Sequence, residues 1–173
     1  MSLLKIAIVG PESTGKSLLT QQLAAHFKTA WVPEMARPYL SNLGRNYTYN
    51  DLSEIARLQL AEENKLQPKT KRFLFCDTNL LVIKVWSDYK YKKTEPWILN
   101  ALDNGNYFLH LLCDIDLPWE YDPLREHPNS RKELFDIYEN ELIKSEVAYA
   151  IVKGEGLQRL TNAIALINSH NTA

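Results

Sequence analysis

Eight residues, Gly10-Pro11-Glu12-Ser13-Thr14-Gly15-Lys16-Ser17, constrain this chain more than any other stretch. They follow the apolar run from Leu3 to Val9 and open a helical-looking segment from Leu18 to Phe27. The pattern is G-x-x-x-x-G-K-[ST] between a strand and a helix, which marks a phosphate-binding P-loop. The glycines let the backbone curl so that successive N–H groups point at one spot, and the helix N-terminus behind them adds partial positive charge. An anion belongs there. Gly10, Glu12, Ser13, Thr14, Gly15, Lys16, Ser17 and Leu18 are the candidate nucleotide contacts. Lys16 can reach the β- and γ-phosphates, and the Ser17 hydroxyl is placed to ligate Mg²⁺.

Residues 1–173 fit one domain with a sizeable core, and 45% hydrophobic with 24% charged residues is ordinary for a globular chain. The formal net charge of -1 gives no electrostatic reason to expect a nucleic acid or an anionic membrane as partner. The first apolar run is too short for a signal peptide and leads straight into the P-loop, so it is expected to be a buried strand. Cys76 and Cys113 lie in or at the end of apolar runs without C-x-x-C spacing. They fit buried thiols of a cytoplasmic protein.

Beyond the first helix, Thr29 to Pro33 predicts a second strand that feeds a loop at 34–39. Asp51 with Glu54 forms a capping-box pattern, starting a helix that carries Leu52, Ile55, Ala56, Leu58 and Leu66 inward toward Pro68. Phe73 to Asp77 is too continuously apolar for a surface strand and is closed by a carboxylate, the pattern of a central parallel strand. Helix is expected from Leu80 to about Ser87, then a polar tyrosine-rich stretch at 88–93, then helix around Trp97 to Leu102. Tyr107 to Cys113 is the fourth strand. Three prolines, three aspartates, two glutamates and Arg125 fill 114–129, a polar loop long enough to be a lid or binding loop. Ser130 and Glu133 suggest a second capping box, for a helix from Arg131 to Ser145 with Leu134, Ile137, Tyr138 and Leu142 inward. Ala148 to Val152 is the fifth strand, Gly154-Glu155-Gly156 a turn, and Leu157, Leu160, Ile164 and Ile167 mark a closing amphipathic helix.

Strands alternating with helices make this an α/β chain with a parallel sheet, whose ligands bind at the carboxyl ends of the strands. Every candidate residue lies at such an end. Asp77 leaves the strand expected beside the P-loop strand, where a carboxylate can hold Mg²⁺, though it also suits a helix N-cap. Glu34 leaves the second strand near the same mouth, where it can accept the proton of an attacking hydroxyl or simply pair with Arg37. Arg125 and Arg131 could bring guanidinium charge to a transferring phosphoryl group when the loop closes, or pair with Glu126 and Glu133. Trp119 is either a stacking plane for a base or pyridine ring or an anchor for the loop. No zinc-type spacing exists, and the lysines and tyrosines of 90–93 fit a solvated loop better than an RNA platform.

Four segments together resemble the ribosylnicotinamide kinase domain of the NadR type: 10–17, Val32 to Arg37, Phe75 to Asn79, and Leu117 to Glu126. The resemblance covers nearly the full length. It implies a three-layer α/β/α P-loop NTPase fold like that of compact nucleoside and nucleotide kinases. Five parallel strands would be ordered 2-3-1-4-5, with a lid at about 114–131. It implies use of ATP and Mg²⁺ to phosphorylate the ribose 5′-hydroxyl of a small nucleoside, nicotinamide riboside. Lys16, Glu34, Asp77, Arg125 and Arg131 become candidate catalytic residues. Glu34, Arg37, Asp77, Trp119 and Asp122 become substrate contacts, and Ser17 with Asp77 the metal ligands. Two positions depart from the family pattern: Asn79 where Asp is frequent, and Met35 where Tyr is frequent. A charge or an aromatic contact near the acceptor is therefore expected to be missing. A kinase for another nucleoside and an ATP-binding regulatory module stand as alternatives.

Overall fold

A computed structural model describes residues 3–70 and 72–171. Strand β1 (Leu4–Val9) lies at the centre of a five-stranded parallel sheet. β3 (Phe73–Asp77) pairs with it on one side and β4 (Leu109–Cys113) on the other, with β2 (Trp31–Val32) and β5 (Tyr149–Val152) at the edges. The order is therefore 2-3-1-4-5, the arrangement expected of the P-loop α/β/α fold. The register sets Ile8 opposite Asp77, so the carboxylate emerges beside the start of the P-loop.

Alternation along the strands divides the core into two layers. Ile6 and Ile8 pack with Phe75, Leu109 and Leu111 under helices α1 (Lys16–Phe27) and α7 (Gly156–Asn171). Ala7, Val9 and Leu112 face the opposite way, onto α4 (Leu80–Tyr91) and α6 (Arg131–Lys144). On that side α3 (Tyr49–Leu66), α4 and α5 (Pro96–Asp103) form a further apolar cluster with Ile55, Ile83 and Ile98. No helix among the described residues is long and apolar enough to cross a membrane. Both cysteines are buried and free.

Several local expectations are corrected. The segment 34–39, expected to be loop, contains the start of α2 (Ala36–Asn42). Pro38 falls in the first turn of that helix, where its missing N–H costs nothing. α3 begins one turn early: Asp51 is not its cap but the third helical residue, accepting the Thr48 N–H at 2.7 Å and the Thr48 hydroxyl at 2.8 Å. The same carboxylate receives Arg45 and Tyr39, and the Arg45 guanidinium above all holds it well below the usual carboxylate range. Ser130 precedes α6 without a side-chain capping bond, and Glu133 accepts the Tyr89 hydroxyl at 2.9 Å. α4 continues through Tyr91, so most of the stretch expected to be polar loop is helical. Leu58 and Leu157, expected inward, are 40% and 79% exposed.

Candidate active site

The P-loop joins β1 to α1 and turns through three positive-φ residues, Gly10, Ser13 and Gly15. At Gly10 a Cβ would come within 3.0 Å of the Cys113 carbonyl oxygen, so the loop can hug the end of β4 only as glycine. The Thr14 hydroxyl and the Lys16 ammonium both donate to the Pro11 carbonyl, at 2.8 and 2.7 Å. Lys16 is thus folded onto its own loop.

Asp77 shows what shares this mouth. It is 1% exposed, and its Oδ1 has no hydrogen-bond partner. Burial pushes its carboxyl up to about 6; the Ser17 hydroxyl, Lys16 and Arg37 draw it down, while the charge of Glu34 adds to the rise. Five of the sequence-predicted residues therefore converge on one cleft. The adjoining Thr78 holds φ 68, an uncommon conformation for a β-branched residue, and donates its N–H to the Ile8 carbonyl at 3.0 Å. The turn that aims Asp77 is thereby tied to β1.

Glu34 owes its place to a residue that sequence reasoning missed. Gln59 of α3, 2% exposed, accepts the Met35 N–H at 2.9 Å and donates to the Pro33 carbonyl at 3.2 Å, clamping the peptides on both sides of Glu34. Arg37 pairs with Asp122 across the cleft at 2.9 Å, joining the first turn of α2 to the long loop after β4.

That long loop has no helix or strand of its own and lies down on the P-loop. Ser13 Oγ accepts the Glu120 N–H at 2.9 Å, and the Glu12 carboxylate accepts the N–H groups of Glu126 and His127, each at 3.0 Å. Arg125 donates to the Glu120 carbonyl and to Ser13 Oγ. Arg131 donates to the carbonyls of Ser13, Leu117 and Ile115 at 3.0, 2.8 and 3.3 Å, bracing the loop against the P-loop. Neither arginine forms the expected pair with Glu126 or Glu133. Trp119 is partly buried, with the Arg125 guanidinium 5.9 Å from its ring centre.

Further residues enter only in three dimensions. Glu126 receives the Tyr47 hydroxyl and Lys90, so one lysine of the stretch expected to be solvated is a docking point for the loop. Tyr138 of α6 is buried within range of Glu12 and Glu34; burial first, then those charges, raises its hydroxyl well above the usual range. Helical periodicity turns it inward, but the carboxylates it meets are 100 or more positions away in sequence, so no local signal could have shown them. Asn79 is fully buried and spends its amide within the fold: its Oδ1 caps α4 through the Leu81 N–H at 3.1 Å, and its Nδ2 faces His110 Nε2 at 3.2 Å. Burial drives His110 down to about 4, so it stays neutral and accepts that bond. Met35 lines an open groove with Pro38, Tyr39 and Leu58.

A family model described as an AAA domain matches residues 5–159, from within β1 through the long loop after β4 to the first turn of α7. The chain belongs to the AAA domain family. This AAA domain is 27% identical over 156 residues to the trifunctional NAD biosynthesis/regulator protein NadR of Escherichia coli, covering 87% of the chain and 38% of that protein. It therefore spans well under half the length of that curated relative. Its fold matches a NadR protein solved in complex with NR, with TM-score 0.85 and 21% identity over 99% of this chain and 52% of that one. A NadR protein in complex with NAD and AMP-PNP matches with TM-score 0.82 and 19% identity, over 99% and 50%. The AAA domain thus has the NadR-type resemblance that its four motifs implied.

Proposed function

We propose that the domain transfers a phosphoryl group from ATP to the ribose 5′-hydroxyl of nicotinamide riboside, giving nicotinamide mononucleotide. The observation that carries this reading is the convergence on Asp77 of Ser17, Lys16, Glu34 and Arg37. A nucleotide-binding switch needs the cradle and a metal ligand; it has little use for a second carboxylate and an arginine facing them. The likeness to NadR proteins supports the choice of acceptor.

The residues present fit a hard divalent cation. Asp77 offers a buried oxygen with no other partner, next to the Ser17 hydroxyl, and both are the oxygen donors that Mg²⁺ selects. Asp77 and Ser17 would hold it, and Mg²⁺ when bound neutralises charge on the phosphate oxygens. Lys16 would leave the Pro11 carbonyl for the phosphates. Glu34, with its peptides clamped by Gln59, would accept the proton of the attacking hydroxyl, with Asp77 the other candidate. Arg37 and Asp122 would orient the ribose, and Trp119 would offer its face to the pyridine ring. Arg125 and Arg131 would set guanidinium charge beside the transferring group, while the lid, 114–131 of this one kinase domain, excludes water.

A panel of unphosphorylated nucleosides with Mg²⁺ and ATP tests the reading: nicotinamide riboside should turn over fastest. Lys16→Ala should lose at least about 100-fold in kcat, on the order of a lost charge-stabilising donor. Glu34→Ala should keep ATP affinity while acceptor turnover falls by about 100-fold or more. Better turnover of another nucleoside would make that the acceptor. ATP binding without transfer to any nucleoside would leave a regulatory module.

A further inference from the structure

Helix α7 lies behind the P-loop, and its first turn sends one side chain forward. Arg159 is 4% exposed, and its guanidinium joins three loops. Nη2 donates to the Thr14 carbonyl at 2.9 Å and to the Asp114 carbonyl at 3.1 Å. Nη1 donates to Asp116 Oδ1 and to the Gly154 carbonyl, both at 2.7 Å. Asp116 closes the set by accepting the Gly154 N–H at 2.6 Å. Burial alone would raise the Asp116 carboxyl, but the Gly154 N–H and the guanidinium outweigh it and hold it below its ordinary value. The charge buried with Arg159 is therefore matched.

The bond to Thr14 has a directional consequence. In a planar trans peptide the C=O and the following N–H point opposite ways. A guanidinium that draws the Thr14 carbonyl backward turns the Gly15 N–H forward, into the anion cradle. The peptide needs such a hold, because it lies between Ser13 at φ 56 and Gly15 at φ 73, where local preference does not settle the backbone. The same guanidinium grips Asp114 and Asp116, the first residues of the lid.

We propose that Arg159 is a positioning residue for nucleotide binding, one that aims the Thr14–Gly15 peptide at the phosphates and ties that peptide to the root of the lid. This rests on the ATP-dependent reading above. The test is calorimetric titration of the full chain with AMP-PNP and Mg²⁺, beside melting curves and riboside kinetics, for wild type, Arg159→Lys and Asp116→Asn. Lysine keeps the charge but has no fork to span Thr14 and Asp116 together. AMP-PNP affinity should fall about tenfold in Arg159→Lys, the scale of one charge-assisted bond, and by less in Asp116→Asn. The riboside KM should stay within about twofold, because no acceptor contact changes. Melting that falls while AMP-PNP affinity stays at the wild-type value in both variants would overturn the proposal and leave Arg159 a structural brace. Should Arg159→Lys fail to fold, Asp116→Asn decides the matter, and an affinity that does not drop in that variant overturns the proposal. Wild type that binds no AMP-PNP would remove the ATP-dependent reading, and this proposal with it.

Discussion

Replacing Asp77 by asparagine should stabilise the ligand-free protein while removing its activity. Burial raises the carboxyl from 3.8 to about 6, a difference worth about 3 kcal/mol against the ionised form. Because the folded value lies above the unfolded one, the native state binds the extra proton and its stability falls as pH rises between the two. The penalty is absent below about pH 3.8, roughly 1.6 kcal/mol at pH 5 and close to the full 3 kcal/mol at pH 8. An asparagine avoids it and can still accept from Ser17, though its buried amide N–H groups take back part of the gain. The expected net is about 1–3 kcal/mol at pH 8, or roughly 3–10 °C in Tm for a domain of this size, shrinking by about 1.4 kcal/mol at pH 5. Urea or thermal unfolding in EDTA at both pH values measures it. Adding Mg²⁺ and AMP-PNP should then reverse the ranking, since only the wild-type carboxylate gains a cation. An Asp77→Asn protein no more stable than wild type at pH 8 in EDTA, or a gain that does not shrink on acidification, would refute the desolvation argument.

Three other perturbations probe separate contacts. Asp122→Ala removes the Arg37 partner at 2.9 Å; as a partly exposed pair it should cost under about 1 kcal/mol of stability, while the riboside KM rises several-fold if the pair orients the sugar. Glu12→Gln weakens the two bonds that hold Glu126 and His127 down, so limited proteolysis within 118–130 should quicken several-fold with little change in Tm; an unchanged cleavage rate would mean the lid is held elsewhere. Glu63→Ala strands Lys5, which pairs with it at 2.8 Å beneath the sheet. The loss should be about 3 kcal/mol by denaturant titration, and a near-neutral result would show that water reaches the pair.

Much of this architecture was legible in the residues. Short apolar and β-branched runs set between turn signals predict strands, and the five in this chain became five parallel strands. The P-loop announces itself because its chemistry is local: eight consecutive residues supply the glycines, the lysine and the hydroxyl. Asp77 and Glu34 could be nominated because a parallel sheet delivers every strand end to the same edge. Most of the errors were at helix ends. Thr48 rather than Asp51 caps α3, and Pro38 enters α2 rather than blocking it, because the choice between neighbouring caps is made by distant partners such as Arg45 and Tyr39.

What the tertiary structure alone decided is which groups touch across the cleft. Gln59 clamps the Glu34 loop from 24 residues away, Lys90 receives the lid, Tyr138 underlies Glu12 and Glu34, and Arg159 reaches Thr14 from 145 residues along the chain. Tyr138 lies on the inward pattern of its helix, but the other three belong to no periodic or motif pattern, since a lone polar residue on a helix has the same sequence signature whether it meets water or a loop. Burial makes the difference. Desolvation lifts Asp77 from an ordinary carboxylate to about 6. That environment is assembled by packing, so it has no counterpart in the order of the residues.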